Sequence, residues 1–215
     1  MITKYGYSTV TIITIISFIL IVLGILTNNN FLKYGLIFTA ILIMIFTLNF
    51  FRDPERNTPV EEQIVVSPAD GRVLFINEIE DNRFINGKAK QVAIFMSPLN
   101  VHVNRIPISG KVEYINYHSG EFIAAFEEKA SEKNERNEIG INSKYGKVLF
   151  IQIAGFIARR IVSDLKLGDE VKIGQRFGMI KFGSRVDVIV PINWKEKVKK
   201  DDIVYAGETV LFEIN

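Results

Sequence analysis

The polarity of the chain changes once, sharply. From Tyr5 to Leu32 no residue is charged, and the apolar run VTIITIISFILIVLGIL fills Val10 to Leu26. As a helix rising about 1.5 Å per residue, that run spans roughly 25 Å, close to a hydrocarbon core of about 30 Å. TNNN, Thr27 to Asn30, is a polar turn, and YGLIFTAILIMIFTLNFF, Tyr34 to Phe51, is a second uncharged run. Two spans around a short turn predict a transmembrane helical hairpin over residues 1–51, because lipid forces a backbone to bond to itself. The alternative for the first run is a cleaved signal peptide. No A-x-A-like site follows it, and a second span comes at once. RDPERNTP, Arg52 to Pro59, is a charged, proline-punctuated linker over 52–59.

From residue 60 to 215 the pattern is different. Short apolar, β-branched runs alternate with Gly, Asn and Asp: QIVVSPADGRVLFINEIE, QVAIFMSP, GKVEYINY, GKVLFIQIAG, EVKIGQRFGMIKFG, RVDVIVP and TVLFEI. These predict strands with tight turns, hence a mainly β body, sandwich- or barrel-like, with minor helix. FIAAFEEKASEKNERN, Phe122 to Asn137, reads as a helix or loop insertion. LKLGDEVKIGQRFG (Leu165 to Gly178) and VKKDDIVYAGETVL (Val198 to Leu211) resemble each other, as paired hairpins of biotinyl/lipoyl-type sandwiches do.

Charge sharpens this division. Of the 26 Lys and Arg only Lys4 and Lys33 precede Arg52, and the remaining 24 balance the 24 Asp and Glu. A neutral body argues against nucleic-acid binding. Lys4, Arg52 and Arg56 flank the outer ends of the hairpin and favour both termini, and with them the polar body, on the cytoplasmic side of the cell membrane. The chain has no Cys and two His, which excludes thiolate chemistry and disulfides, and no H-E-x-x-H spacing supports a metal.

Three clusters carry candidate chemistry. SPADGRV, Ser67 to Val73, is by itself a turn with Asp70 bonding local backbone. FMSPLNVHVNRIP, Phe95 to Pro107, sets His102 among apolar neighbours, where a packed histidine is the bland reading. FGSRVD, Phe182 to Asp187, is a Gly-Ser pair between apolar runs with no histidine beside it. Together, P-A-D-G, then S-P-x-N-V-H-x-N-R-x-P, then a C-terminal F-G-S-R-V-D resemble the phosphatidylserine decarboxylase proenzymes, in their short bacterial and archaeal form. Gly120 to Asn137 is similar to the family's segment ending in N-E-R, and the resemblance runs from about residue 60 to 213.

The resemblance implies a pyruvoyl-dependent decarboxylase acting on phosphatidylserine. Ser184 would attack the carbonyl of Gly183, and elimination and hydrolysis would leave a pyruvoyl group, derived from Ser184, as the covalent cofactor, with no metal. The products would be chains 1–183 and 184–215, held as a heterodimer, with a higher oligomer left open. Glycine leaves the carbonyl open to attack, while a serine hydroxyl needs a base. His102, oriented by Asp70, is the candidate base by triad logic. Larger members carry a second histidine three residues on, where this chain has Arg105, so His118 is the alternative base. Arg105, His118 and Arg136 are candidates for holding the substrate's anionic groups. The phospholipid substrate and the membrane are the expected partners. Archaetidylserine as substrate, a soluble amino acid as substrate, and a non-enzymatic membrane-tethered β-sandwich adaptor are the alternatives.

Overall fold

In the computed structural model the described residues are 1–120, 134–155, 160–181 and 184–214. The chain divides into two compact units, Met1–Pro54 and Glu55–Asn215. In the first unit, helices α1 (Tyr7–Leu26) and α2 (Asn30–Phe50) pack as a hairpin. Asn29 caps α2 by accepting from the Leu32 amide at 3.2 Å. The residues buried in the pair are mostly small: Ser17 and Gly24 on α1, Ala40 and Thr47 on α2. A Cβ on Gly24 would lie 3.1 Å from the Lys33 carbonyl, so glycine lets the helices close as they do in lipid. The two ends are zipped together where Thr3 N–H donates to Phe51 O (2.9 Å) and Asp53 N–H to Met1 O (2.8 Å). Both helices are long and apolar enough to cross a membrane, and most of their large side chains face outward.

Among its described residues the second unit has strands, turns and no helix. In chain order these are β1 (Ile64–Val66), β2 (Gly71–Asp81), β3 (Gly87–Met96), β4 (Val103–Arg105), β5 (Gly110–His118), β6 (Arg136–Ser143) and β7 (Gly146–Ala154). There follow β8 (Arg160–Ser163), β9 (Glu170–Val171), β10 (Arg176–Lys181), β11 (Ser184–Pro191), β12 (Lys195–Glu196), β13 (Ile203–Val204) and β14 (Val210–Glu213). An eight-stranded antiparallel sheet runs β13-β2-β3-β11-β7-β6-β5-β9, with two three-stranded sheets, β4-β10-β8 and β1-β14-β12. The mainly β expectation therefore holds, as does the pair of N-terminal apolar helices. The helix or loop read over 122–137 lies largely outside the described residues, but its end, Arg136 and Asn137, is strand.

The sheet order is a palindrome with a physical origin. Residues 64–81 and 103–120 repeat with an offset of 39, as S-P-A-D-G-R-V-L-F-I-N and I-P-I-S-G-K-V-E-Y-I-N show. The LKLGDE and VKKDDI segments repeat with an offset of 33, and their hydrogen bonds coincide. Val73 N–H donates to Asp202 O and Val112 N–H to Asp169 O, each at 2.9 Å. Asp202 and Asp169 each accept from a lysine amide, Lys199 at 2.9 Å and Lys166 at 2.8 Å. Gly207 and Gly174 both turn the chain at positive φ, +75° and +76°, where glycine is at no disadvantage. The unit is thus two copies of one β motif about a pseudo-two-fold axis between β11 and β7. The two similar segments do not close as hairpins: each sends its strands to different sheets.

The middle of the large sheet is covered on both faces. Val73, Ile94, Val186, Val188 and Phe150 belong to one apolar cluster; Ala89, Leu149, Ile151, Ile153 and Ile189 belong to another. A strand buried on both faces loses polar alternation, which is why β11 reads VDVIVP.

Candidate active site

Three connections cross between the large sheet and the β4-β10-β8 sheet at one seam. β3 leads into β4, β7 into β8, and β10 into β11, and the strands keep the same order, β3-β11-β7 beside β4-β10-β8. The β3–β4 connection carries His102 and the β10–β11 connection is residues 182–183. Gly183 lies outside the described residues, so the geometry starts at Ser184. It heads β11, paired with Met96 on β3 and Ala154 on β7. β10 and β11, on either side of residues 182–183, belong to different sheets.

Ser184 is fully buried, and its hydroxyl donates to the Met96 thioether at 3.2 Å. A buried polar chain ends at the same sulfur. Asn137 Nδ2 donates to Gln152 Oε1 (3.1 Å), Gln152 Nε2 to Asn104 Oδ1 (2.9 Å), and Asn104 Nδ2 lies 3.9 Å from Met96 Sδ. Buried amides with partners fix one another's orientation. The sequence reading missed Met96, Asn104, Gln152 and Asn137; the signal for the three amides is a polar residue inside an apolar strand, and Met96 carries none. The N-E-R segment arrives at the same point. Asn134 Nδ2 donates to Ala154 O at 2.7 Å, and Ala154 N–H to Glu135 O at 2.9 Å.

His102 is also fully buried. Its Nδ1 lies 2.9 Å from the Asn100 carbonyl. A carbonyl only accepts, so Nδ1 carries a proton, and in a neutral ring Nε2 would be the acceptor, the form a base requires. The P-A-D-G turn is stitched to this strand. Pro68 O accepts from Arg105 N–H (2.9 Å) and from Asn104 Nδ2 (3.4 Å). Gly71 is needed there, because a Cβ would strike the Phe95 carbonyl and lie 2.9 Å from Ile94. Asp70 is buried, with Oδ2 accepting from Arg56 at 2.7 Å and Oδ1 from the Ala206 amide at 2.8 Å. All three motif clusters thus converge at the end of β3.

The other candidates sit around this centre. Arg105 is buried and donates from Nη1 to Gly174 O at 3.0 Å. His118 and Arg136 pair across β5 and β6. They continue a cross-strand row Arg72–Phe95–Arg185–Ile153–Arg136–His118, one position beyond Ser184 and on the opposite face of the sheet. Both approach Glu138, at 3.2 Å for Arg136 and 3.7 Å for His118, alongside Arg83 and the Tyr114 hydroxyl. Burial pushes the Glu138 carboxyl up, but Tyr114, Arg136 and Arg83 outweigh it and hold it below the ordinary range. Next in the same face, Arg185 and Asp187 form a fully buried two-pronged pair at 2.6 and 2.7 Å, with Gln91 donating to Asp187 at 2.6 Å. Burial pushes the Asp187 carboxyl up against the pull of Arg185. Among the described residues no group of three or more His, Asp or Glu is placed to hold a metal ion.

A cavity of about 730 Å³ among the described residues is lined away from Ser184 and His102. It is lined by Ile108, Ser109, Lys144 and Tyr145, the pseudo-symmetric counterpart of the seam. There Ser109 occupies the place of Asp70, and accepts from Ile173 N–H (2.9 Å) as Asp70 does from Ala206. Its lining has no histidine, so the two-fold repeat carries serine and histidine at one seam.

Fold and site together define a class: a duplicated β domain, preceded in sequence by a pair of apolar helices, with Ser184 buried at the head of a central strand and His102 buried in the connection that follows its partner strand β3. The family model for phosphatidylserine decarboxylase matches residues 43–212. The phosphatidylserine decarboxylase proenzyme of Chlorobium limicola is 46% identical over 211 residues, covering 98% of this chain and 99% of that protein. That of Chlorobium chlorochromatii is 47% identical over 213 residues, covering 98% and 99%. That of Salinibacter ruber is 50% identical over 172 residues, covering 79% and 76%. The chain belongs to the phosphatidylserine decarboxylase family, and so is an enzyme of the decarboxylase class.

Proposed function

We propose that this chain converts phosphatidylserine to phosphatidylethanolamine and CO2, using a pyruvoyl group that it makes from Ser184 by cutting itself after Gly183. The observation that carries this reading is the position of Ser184, buried at the head of a central strand and paired with Met96, the last residue of the strand that leads to His102. The residues present fit the group: a serine follows a glycine, and the sheet on both sides fixes its backbone. In self-processing, Ser184 Oγ bonds to the Gly183 carbonyl carbon as its proton passes to His102 Nε2. The amide C–N bond breaks and an ester forms. Elimination then releases Gly183 as a carboxylate, and water replaces the former serine nitrogen, which leaves as ammonia. Asp70 holds the His102 region in register and offsets the positive charge that develops there. Burial keeps water from the ester until elimination.

When in place, the pyruvoyl group supplies an electron sink for loss of CO2 from the serine headgroup. His102 is the residue placed to return a proton to the headgroup carbon. Arg105, Arg136 and His118 are the groups available to anionic substrate oxygens. The apolar helices, residues 1–51, serve as the membrane anchor, the linker 52–59 follows, and the catalytic domain, 60–215, lies on the cytoplasmic side, as Lys4, Arg52 and Arg56 favour.

The test is intact mass under denaturing conditions, followed by release of CO2 from phosphatidylserine in mixed micelles. The expected result is two chains meeting at 183/184, the short one with a pyruvoyl instead of a serine N-terminus, and activity. Ser184→Ala is expected to remain one inactive chain. A single wild-type chain that stays whole and inactive on lipid would sink the proposal and bring the adaptor reading forward.

A further inference from the structure

The segment that enters the β unit lies across the reaction seam. Arg56 donates from Nη2 to Asp70 at 2.7 Å and from Nη1 to Glu208 at 2.9 Å. The Asn57 amide donates to the other oxygen of Glu208, also at 2.9 Å, and Arg56 stacks over the Tyr205 ring at 5.6 Å. Glu55 pairs with Arg176 at 3.0 Å. Both the Arg56 and Asp70 side chains are largely withdrawn from water, at 11% and 7% exposure. An ion pair so placed has given up most of its hydration, and removing one member is far more costly than removing a surface partner.

The internal repeat supplies a control. Asp70 and Ser109 occupy equivalent turns, and each accepts from an equivalent amide, Ala206 at 2.8 Å and Ile173 at 2.9 Å. The hydroxyl needs no counter-charge and the carboxylate does. The turn with the carboxylate is the one Arg56 meets, and it is the turn stitched to the His102 strand through Pro68.

We infer that Arg56 is a positioning residue for self-processing: by holding the Asp70 carboxylate ionised and aimed, it sets the rate at which the chain cuts itself. This rests on the reading of Ser184 and Asp70 given above. Arg56 touches no reacting atom and acts through Asp70. The charged and titratable groups around the pair are Arg56 on the entering segment, which meets Asp70 itself, and Tyr205 and Glu208 on the β13–β14 turn, which meet Arg56; His102 and Arg105 belong to the β4 segment that Pro68 joins. Arg72 follows Asp70 in the chain. Without Arg56, the burial of Asp70 is opposed by less positive charge, and its carboxyl takes up a proton at higher pH. The ionised form is the active one, so the rate falls as pH drops through the raised value. The acid limb of the variant's profile therefore moves toward alkaline pH.

The experiment follows appearance of the 184–215 chain in freshly made full-length protein in detergent, from mildly acid to mildly alkaline pH. Arg56→Ala is expected to cut about tenfold more slowly near neutrality, the scale of one charge-assisted hydrogen bond. Its acid limb shifts to higher pH, and added guanidinium ion restores part of the rate. Arg56→Lys keeps the charge without the fork, and is expected to fall between Arg56→Ala and wild type in rate and profile. Glu208→Gln leaves the Arg56–Asp70 contact and is expected to cut at the wild-type rate. Wild-type rate and profile in folded Arg56→Ala overturn the inference. If that variant does not fold, the same result in Arg56→Lys overturns it. Glu208→Gln as slow as Arg56→Ala overturns it too, because docking of the segment would then be what matters. Failure of the wild type to cut between Gly183 and Ser184 is a separate result, and removes the reading on which the inference rests.

Discussion

A chain nicked between Gly183 and Ser184 should not come apart. The short piece begins with β11, which pairs with eight residues of β3 on one side and six of β7 on the other. It also carries β14, paired to β1, and β13, paired to β2. Val186, Val188, Ile189, Val190, Trp194, Val204, Leu211 and Phe212 are all buried. At about 1.5–3 kcal/mol for each large apolar side chain returned to water, separation exposes surface worth on the order of 10–20 kcal/mol, an upper estimate. A nanomolar complex needs about 12 kcal/mol, and each released ladder position adds unpaired backbone. The nicked protein, cut by its own chemistry or at a protease site engineered into the 182–184 connection, should run as one species on size exclusion at about micromolar concentration, far above a nanomolar dissociation constant. Denaturing mass analysis of that peak should give both chains. Elution of the short chain by itself in native buffer would refute the reasoning, because it would mean that β11 is not held as a central strand.

Three further outcomes follow from the same geometry. Asp187→Asn leaves Arg185 buried without its two-pronged partner; it should cost about 3–5 kcal/mol, lowering Tm by roughly 10–15 °C by calorimetry, and an unchanged Tm would contradict the burial. Gly71→Ala forces β2 away from the Phe95 carbonyl and should destabilise by about 1–3 kcal/mol in urea titrations, whereas Gly87→Ala, with nothing within 4 Å, should not. Glu138 has its carboxyl held below the ordinary value, so its stabilisation is complete above about pH 4.3 and is lost as pH falls through the lowered value. Glu138→Gln should therefore be less stable than wild type at neutral pH and approach it in acid, with a parallel pair of curves as the contrary result.

The strands were legible because their turns carry Gly, Asp and Asn at fixed offsets, and the helices because no charge interrupts them. The likeness of the LKLGDE and VKKDDI segments was visible too, but not the pairing of those strands. Pairing is set by partners far away in sequence: β13 joins β2 and β14 joins β1. The second half of the repeat was hidden because I-P-I-S-G-K-V shares only its Pro, Gly and Val with S-P-A-D-G-R-V. β6 was hidden because RNEIGINS follows a charged stretch and carries polar residues such as Asn137 and Glu138 that are buried and satisfied by neighbours. For the site, residue types chose Asp70, His102 and Ser184. No local pattern marks Arg56 as the partner of Asp70, since the contact closes only when the entering segment meets the P-A-D-G turn.

The repeat also sets the two seams apart. In one copy β6 and β7 are joined by a tight turn, with Ser143 opposite Gly146. Their counterparts β3 and β11 pair in the same way, Met96 opposite Ser184, yet no turn joins them. Instead β3 runs on through His102 into β4, and β11 is reached from β10, so both strand ends open into the second sheet. Ladder bonds hold β11 from Ser184 onward and β10 as far as Lys181, so a cut after Gly183 severs no strand pairing. The residue that separates the two turns, Asp70 where the other copy has Ser109, falls at the open seam. A turn at the closed seam would have to unravel β6 from β7 before a backbone carbonyl there could be attacked. At the open seam, β11 is held on both sides from Ser184 onward, and the strand it meets there, β3, leads on to His102.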